Sequence, residues 1–206
     1  SVFEPDPLND NPTYLSRLSV AFWSTLLPTA AISVFLGLTF LLYDYYSVLR
    51  GDIGAMMVSL FYVIIVVYFV HRLGMAVLSP TLPNWRLIPV QTRAAAPLVA
   101  LVSATAIFSG IDYFLSAVYQ VLGSPLSLTV GETLVATVII GILVILVGLV
   151  KPFADAEGNP RSWPAFLRMM LYLLGGLTIV SALAGYIGLA KFISQQIVVT
   201  GAILAT

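Results

Sequence analysis

Charged residues divide this chain into long apolar runs. The strongly apolar runs free of Asp, Glu, Lys and Arg cover 18–43, 53–70, 94–111, 133–150, 169–190 and 192 to the end. Spanning the hydrocarbon core of a bilayer takes roughly 20 apolar residues in helical form, because unpaired peptide groups are too costly in lipid for coil or open strands. At 1.5 Å per residue the shortest complete run is about 27 Å long, so each of the first five is long enough to cross. The sixth is cut off at Thr206. The predicted fold class is all-α: a polytopic integral membrane domain of about six transmembrane helices, five complete and the last truncated. Their expected bounds are 18–43, 53–72, 94–122, 130–150, 165–190 and 192–206.

Polar and proline-bearing segments punctuate these runs. Residues 1–16 are expected to be an acidic linker, with Glu4, Asp6, Asp10 and two prolines before Asn11, and 17–206 a single membrane domain. A start at Ser1 and a stop inside an apolar run are what a piece of a longer protein would show. The first run ends in Tyr43, Tyr45 and Tyr46 beside Asp44, a cluster suited to the headgroup level, and Pro28 predicts a bend near Thr25. The stretch SPTLPNWRLIP, 79–89, holds three prolines and reads as a connector; Trp85 would set its ring in the headgroups and Arg86 its guanidinium beside lipid phosphate. KPFADAEGNPRSWP, 151–164, must lie in water. Past Asp112, IDYFLSAVYQVL contains good helix formers and no breaker, which predicts one long third helix with the carboxylate inside it.

Composition narrows the function. Of 206 residues 60% are hydrophobic and 9% charged, too few polar groups to cover a soluble globule of this size. Net charge is zero and the basic residues lie scattered, so nucleic acid is not an expected partner; membrane lipids are. With no cysteine and one histidine, His71, no metal site is expected, and no motif points to a catalytic centre or a cofactor.

The polar residues within or beside the runs are the candidate sites. Asp112 and Glu132 flank the loop between helices three and four, and would form a cation or proton site if those helices bring them together; as interfacial carboxylates they need no such role. His71 and Arg72 are expected to end helix two as interfacial anchors. Gln195 and Gln196 would donate to a neighbouring helix, line water, or sit at an interface. Small residues recur at spacing four in Ser33 and Gly37, Ser181 and Gly185, Ala184 and Gly188, and Gly201 and Ala205, a weak signature of helix packing. Arg17, Arg72, Arg86, Arg93, Lys151, Arg161 and Arg168 fall on one side of the predicted topology and only Arg50 and Lys191 on the other, which predicts a cytoplasmic N-terminus.

Four stretches resemble one family. NPTYLSRLSVAFWSTLLP (11–28), LSPTLPNWRLIPV (78–90), IDYFLSAVYQVLGSPLSLTV (111–130) and GYIGLAKFISQQIVVTGAI (185–203) are similar to the extra N-terminal membrane region of large bacterial members of the small-conductance mechanosensitive channel superfamily, and NWRLIP is the most specific of the motifs. The resemblance implies a peripheral, tension-sensing paddle in a bacterial inner membrane, part of a homo-oligomer, heptameric in that family, that answers osmotic stress. It also implies a Gly/Ala-rich pore helix followed by a soluble vestibule; no stretch here has that pattern, so the pore is expected beyond Thr206. A secondary transporter half, coupled through Asp112 or Glu132, is the competing reading, with a membrane-embedded enzyme behind it.

Overall fold

The computed structural model describes residues 12–49, 51–154 and 159–185, together with Phe192, Ile193, Gln195, Gln196 and Val199. Among the described residues five α-helices are complete: α1 (Tyr14–Tyr45), α2 (Ile53–Leu78), α3 (Thr92–Val121), α4 (Leu126–Leu149) and α5 (Ala165–Leu183). A 3-10 turn, Pro83–Trp85, lies between α2 and α3. Between α4 and α5 a short antiparallel ladder pairs Phe153 with Arg161 and Ala154 with Pro160. At 1.5 Å per residue the helices are about 28 to 48 Å long, and all five are long and apolar enough to cross a membrane. The expected sixth helix, 192–206, falls mostly outside the described residues; within it Gln195 and Gln196 are helical and exposed.

The helices do not stop where charges appear. α1 begins at Tyr14, inside the expected linker, and carries Arg17 in its first turn; α2 runs past His71 and Arg72 to Leu78. A long cationic side chain can lie along a helix and send its head elsewhere, so a charge ends an apolar run without ending the hydrogen-bonded ladder. Backbone chemistry sets the ends instead. Ser79 after α2 is left-handed at φ 32°, and Pro80 follows it. α5 ends at Leu183, short of the expected 190, and Gly185 takes φ +83°, where a side chain would be strained. α3 is one helix across Asp112, as the run of helix formers predicts. At the start of α1 the Thr13 hydroxyl accepts the Ser16 N–H at 3.3 Å. Thr13→Ala should lower stability by about 1 kcal/mol and Thr13→Ser should leave it unchanged, read as the unfolding midpoint in detergent.

Among the described elements each helix packs appreciably only on its neighbours in sequence: α1 on α2, α2 on α3, α3 on α4 and α4 on α5. Facing residues fix the antiparallel registers. Val63 and Val67 lie against Gly110, Gly74 lies against Val99, and Tyr62 meets Tyr113 with ring centroids 5.3 Å apart. The result is an open row of helices. Large apolar side chains on its flanks, among them Phe35 and Leu38 on α1 and Phe166 and Leu173 on α5, are exposed. Such a surface suits lipid rather than water.

Backbone lies against backbone between α4 and α5. A Cβ on Gly175 would stand 2.8 Å from the Gly141 carbonyl oxygen, and one on Gly148 would stand 2.8 Å from the Tyr172 ring. Bare backbone here lets the helices touch. These are not the small residues that spacing four picks out. Gly37 faces open space, Gly185 lies past the end of α5, and of the remaining pairs Gly188, Gly201 and Ala205 lie outside the described residues; Ser181 is buried. The informative spacing is the seven residues from Gly141 to Gly148, which puts both on one face of α4.

Candidate functional site

The charges of the row are sorted by end. Arg17, Arg93 and Arg168 lie in the first turns of α1, α3 and α5, Arg72 lies in the last third of α2, Arg86 in the connector after it, and Lys151 and Arg161 follow α4. The described carboxylates lie toward the other end: Asp44 near the end of α1, Asp52 before α2, Asp112 in the second half of α3 and Glu132 early in α4. In the sequence Asp155 and Glu157 fall between the ladder residues Ala154 and Pro160. Basic groups at helix N-termini oppose the helix dipole, by about 0.3–1 kcal/mol each. Helix stability therefore does not explain the placement of Arg17, Arg93 and Arg168.

At the basic end the proline-rich connector folds inward. Trp85 and Arg86 are each 7% exposed, so neither side chain projects outward as the sequence suggests for interfacial anchors. The reason is the supply of acceptors. Arg86 Nε donates to the Ser79 carbonyl at 3.1 Å, Nη1 to the Val90 carbonyl at 2.7 Å and to Thr92 Oγ1 at 3.2 Å, and Nη2 to the Pro80 carbonyl at 3.4 Å. Three prolines deprive the connector of N–H donors, and the guanidinium fork supplies what the backbone lacks. Burial holds the Arg86 guanidinium below its ordinary pKa. The same knot ties α1 and α4 in: Arg17 Nη1 donates to the Arg86 carbonyl at 3.5 Å, and the Gln91 N–H to the Pro152 carbonyl at 2.7 Å. A small core of Val90, Ala94 and Leu98, packed by Leu78, Val147, Val150 and Trp163, lies beside it.

Proline organises a second site. Pro28 has no N–H, so the Ser24 carbonyl four residues earlier has no partner in the helical ladder. Arg72 of α2 takes it, with Nη2 at 2.6 Å and Nε at 3.2 Å. Beside it Thr25 Oγ1 is buried with no hydrogen-bond partner among the described residues. On the other side of α2, His71 Nδ1 lies 2.9 Å from Ser103 Oγ of α3. Neither residue ends α2 as the sequence suggests: each bridges α2 to a different neighbour.

Toward the acidic end α3 and α4 leave an apolar groove of about 430 Å³ between Phe108, Ile111 and Leu115 on one wall and Leu128, Val135 and Ile139 on the other. Glu132 lines it, with Thr133 Oγ1 3.5 Å from its Oε2. Asp112, 8% exposed, is buried on α3 outside the groove's lining. Among the described residues no group of three or more His, Cys, Asp or Glu side chains could hold a metal ion. Tyr43, Tyr45 and Tyr46 cluster at the end of α1, with the last two rings edge to face at 5.3 Å and mostly exposed. Comparison of the chain with protein-family models, curated proteins and solved structures found no match.

Proposed function

We propose that this row of helices is the lipid-facing, tension-sensing region of a mechanosensitive ion channel, peripheral to a pore that lies outside the segment. The observation that carries the reading is the open row itself, in which each described helix packs appreciably only on its chain neighbours and leaves broad apolar flanks exposed. A state that occupies more membrane area is favoured by tension in proportion to the area gained, so a sensor needs lipid contact that changes with conformation. A row changes its footprint by tilting or spreading without breaking a central core. The packing favours such a motion: bare backbone and a hydrogen-bonded knot hold α4 to α5 and the basic end together, while α3 and α4 part toward the acidic end.

The basic end lies in the cytoplasm in this reading, against the anionic leaflet of a bacterial inner membrane. The tyrosines at the end of α1 grip the opposite headgroups. The protein works as a homo-oligomer, a heptamer if the resemblance of NWRLIP and the flanking stretches to the mechanosensitive family holds. The test is suction applied to patches that contain the full-length protein. Tension-gated currents are expected, and silence in patches whose control channels open would overturn the proposal.

A buried carboxylate supports a second reading. Asp112 inside a membrane-spanning helix is the kind of group that couples transport to protons or sodium, with Glu132 beside the α3–α4 groove. Loss of ion-coupled uptake in Asp112→Asn, with folding intact, would put this reading first.

A further inference from the structure

Arg72 is a cation inside a membrane-spanning helix with a carbonyl, not a carboxylate, for a partner. Two of its three nitrogens share the Ser24 carbonyl oxygen, and Nη1 faces no acceptor among the described residues. The described carboxylates lie toward the far end of the row. A neutral dipole satisfies donors, but it does not neutralise charge, and an uncompensated charge in low dielectric is costly.

Its position says what compensates it. Arg72 precedes Leu78, the last residue of α2, by six residues, which places its Cα about 9 Å inside the helix end. Among the described elements its neighbour across the seam, α1, packs appreciably on α2 alone, so the seam lies at the edge of the described row, where lipid of a bilayer would reach it. His71 is turned to Ser103 on the α3 side and does not share the site.

We infer that Arg72, held at the α1–α2 seam by the carbonyl that Pro28 leaves free, binds the phosphate of an anionic phospholipid. The two ligands divide the fork: Nε and Nη2 stay on Ser24, and Nη1 takes a phosphate oxygen. Pro28 therefore does more than remove one N–H from α1. It orients the guanidinium, which a free lysine-like cation would not require. The inference needs only that α1 and α2 span a membrane, so it stands or falls apart from the channel proposal.

Native mass spectrometry of the protein in detergent, titrated with phosphatidylglycerol or phosphatidylcholine, tests it. The wild type should bind phosphatidylglycerol about fivefold more tightly than phosphatidylcholine, the size of effect one basic residue has at an anionic surface. Arg72→Gln alone orphans the Ser24 carbonyl and can weaken the fold, so the decisive variant is Pro28→Ala with Arg72→Gln. There the new N–H at 28 returns Ser24 to the α1 ladder while the cation is gone. That double variant should unfold at the wild-type midpoint and lose the lipid preference. Pro28→Ala alone keeps the cation but releases the fork, so it should retain a preference for phosphatidylglycerol that is weaker than the wild type's. Retention of the fivefold preference by the double variant would overturn the inference. Displacement of the lipid by millimolar inorganic phosphate would also overturn it, because the site would then be one for a free anion. Tension-gated currents are a separate readout, so a failure here leaves the channel proposal where it was.

Discussion

Replacing Gly175 by leucine should lower the stability of the folded row by about 3 kcal/mol, at the upper end of what overpacking a tight contact usually costs. The first added carbon would already stand 2.8 Å from the Gly141 carbonyl oxygen and 2.7 Å from Ile145 Cγ1. The isoleucine can turn aside. The carbonyl belongs to the α4 backbone and cannot, so the two helices must move apart along their whole contact. Gly176, the next residue, has nothing within 4 Å of an added Cβ. Gly176→Leu should therefore leave stability within about 1 kcal/mol of wild type, with the small gain in helix propensity acting in its favour. Unfolding in a denaturing detergent series, followed by circular dichroism, compares the pair. Equal losses from both substitutions would show that α4 and α5 do not touch through Gly141 and Gly175.

Arg86→Met should cost about 2–5 kcal/mol, since it leaves at least two inward-facing carbonyls without a donor at about 1–3 kcal/mol each. Methionine fills similar space, so the loss reports hydrogen bonding rather than a cavity. Arg86→Lys keeps the charge yet offers a single point of donation in place of a fork that reaches Ser79, Pro80, Val90 and Thr92 together. It should recover less than half of the loss. Hydrogen exchange localises the effect: the Leu87 N–H, bonded to the Val77 carbonyl, and the Gln91 N–H, bonded to Pro152, should lose protection before amides in the middle of α3. Uniform loss of protection along the chain would contradict a knot confined to the connector.

The two predictions concern opposite kinds of residue, and the sequence treats them differently. Arg86 is conspicuous between prolines, but its surroundings suggest outward anchoring, because Trp and Arg side by side fit a headgroup layer. Only the folded connector shows that its own carbonyls compete for the guanidinium. Gly175 is inconspicuous, one of 15 glycines, and its importance rests on what α4 presents to it. Arg72 falls between these cases. Its cost inside an apolar run can be read from the sequence, yet its partner is a carbonyl freed by a proline 44 positions away, which no local pattern connects to it.

From the sequence alone come the all-helical class, five of the six expected helices as ones long and apolar enough to cross a membrane, the unbroken third helix across Asp112 and the connector between α2 and α3. These follow from local terms: the length of apolar chain needed to cross lipid, the helix-forming character of each run and the backbone limits of proline. The helix ends at Leu78 and Leu183, the open row, the Gly141–Gly175 contact and the inward turns of Arg72 and Arg86 were decided by tertiary structure. In water, apolar character separates a packed face from a solvent face. In lipid both faces are apolar, so hydrophobicity marks what lies in the bilayer without saying which side meets another helix.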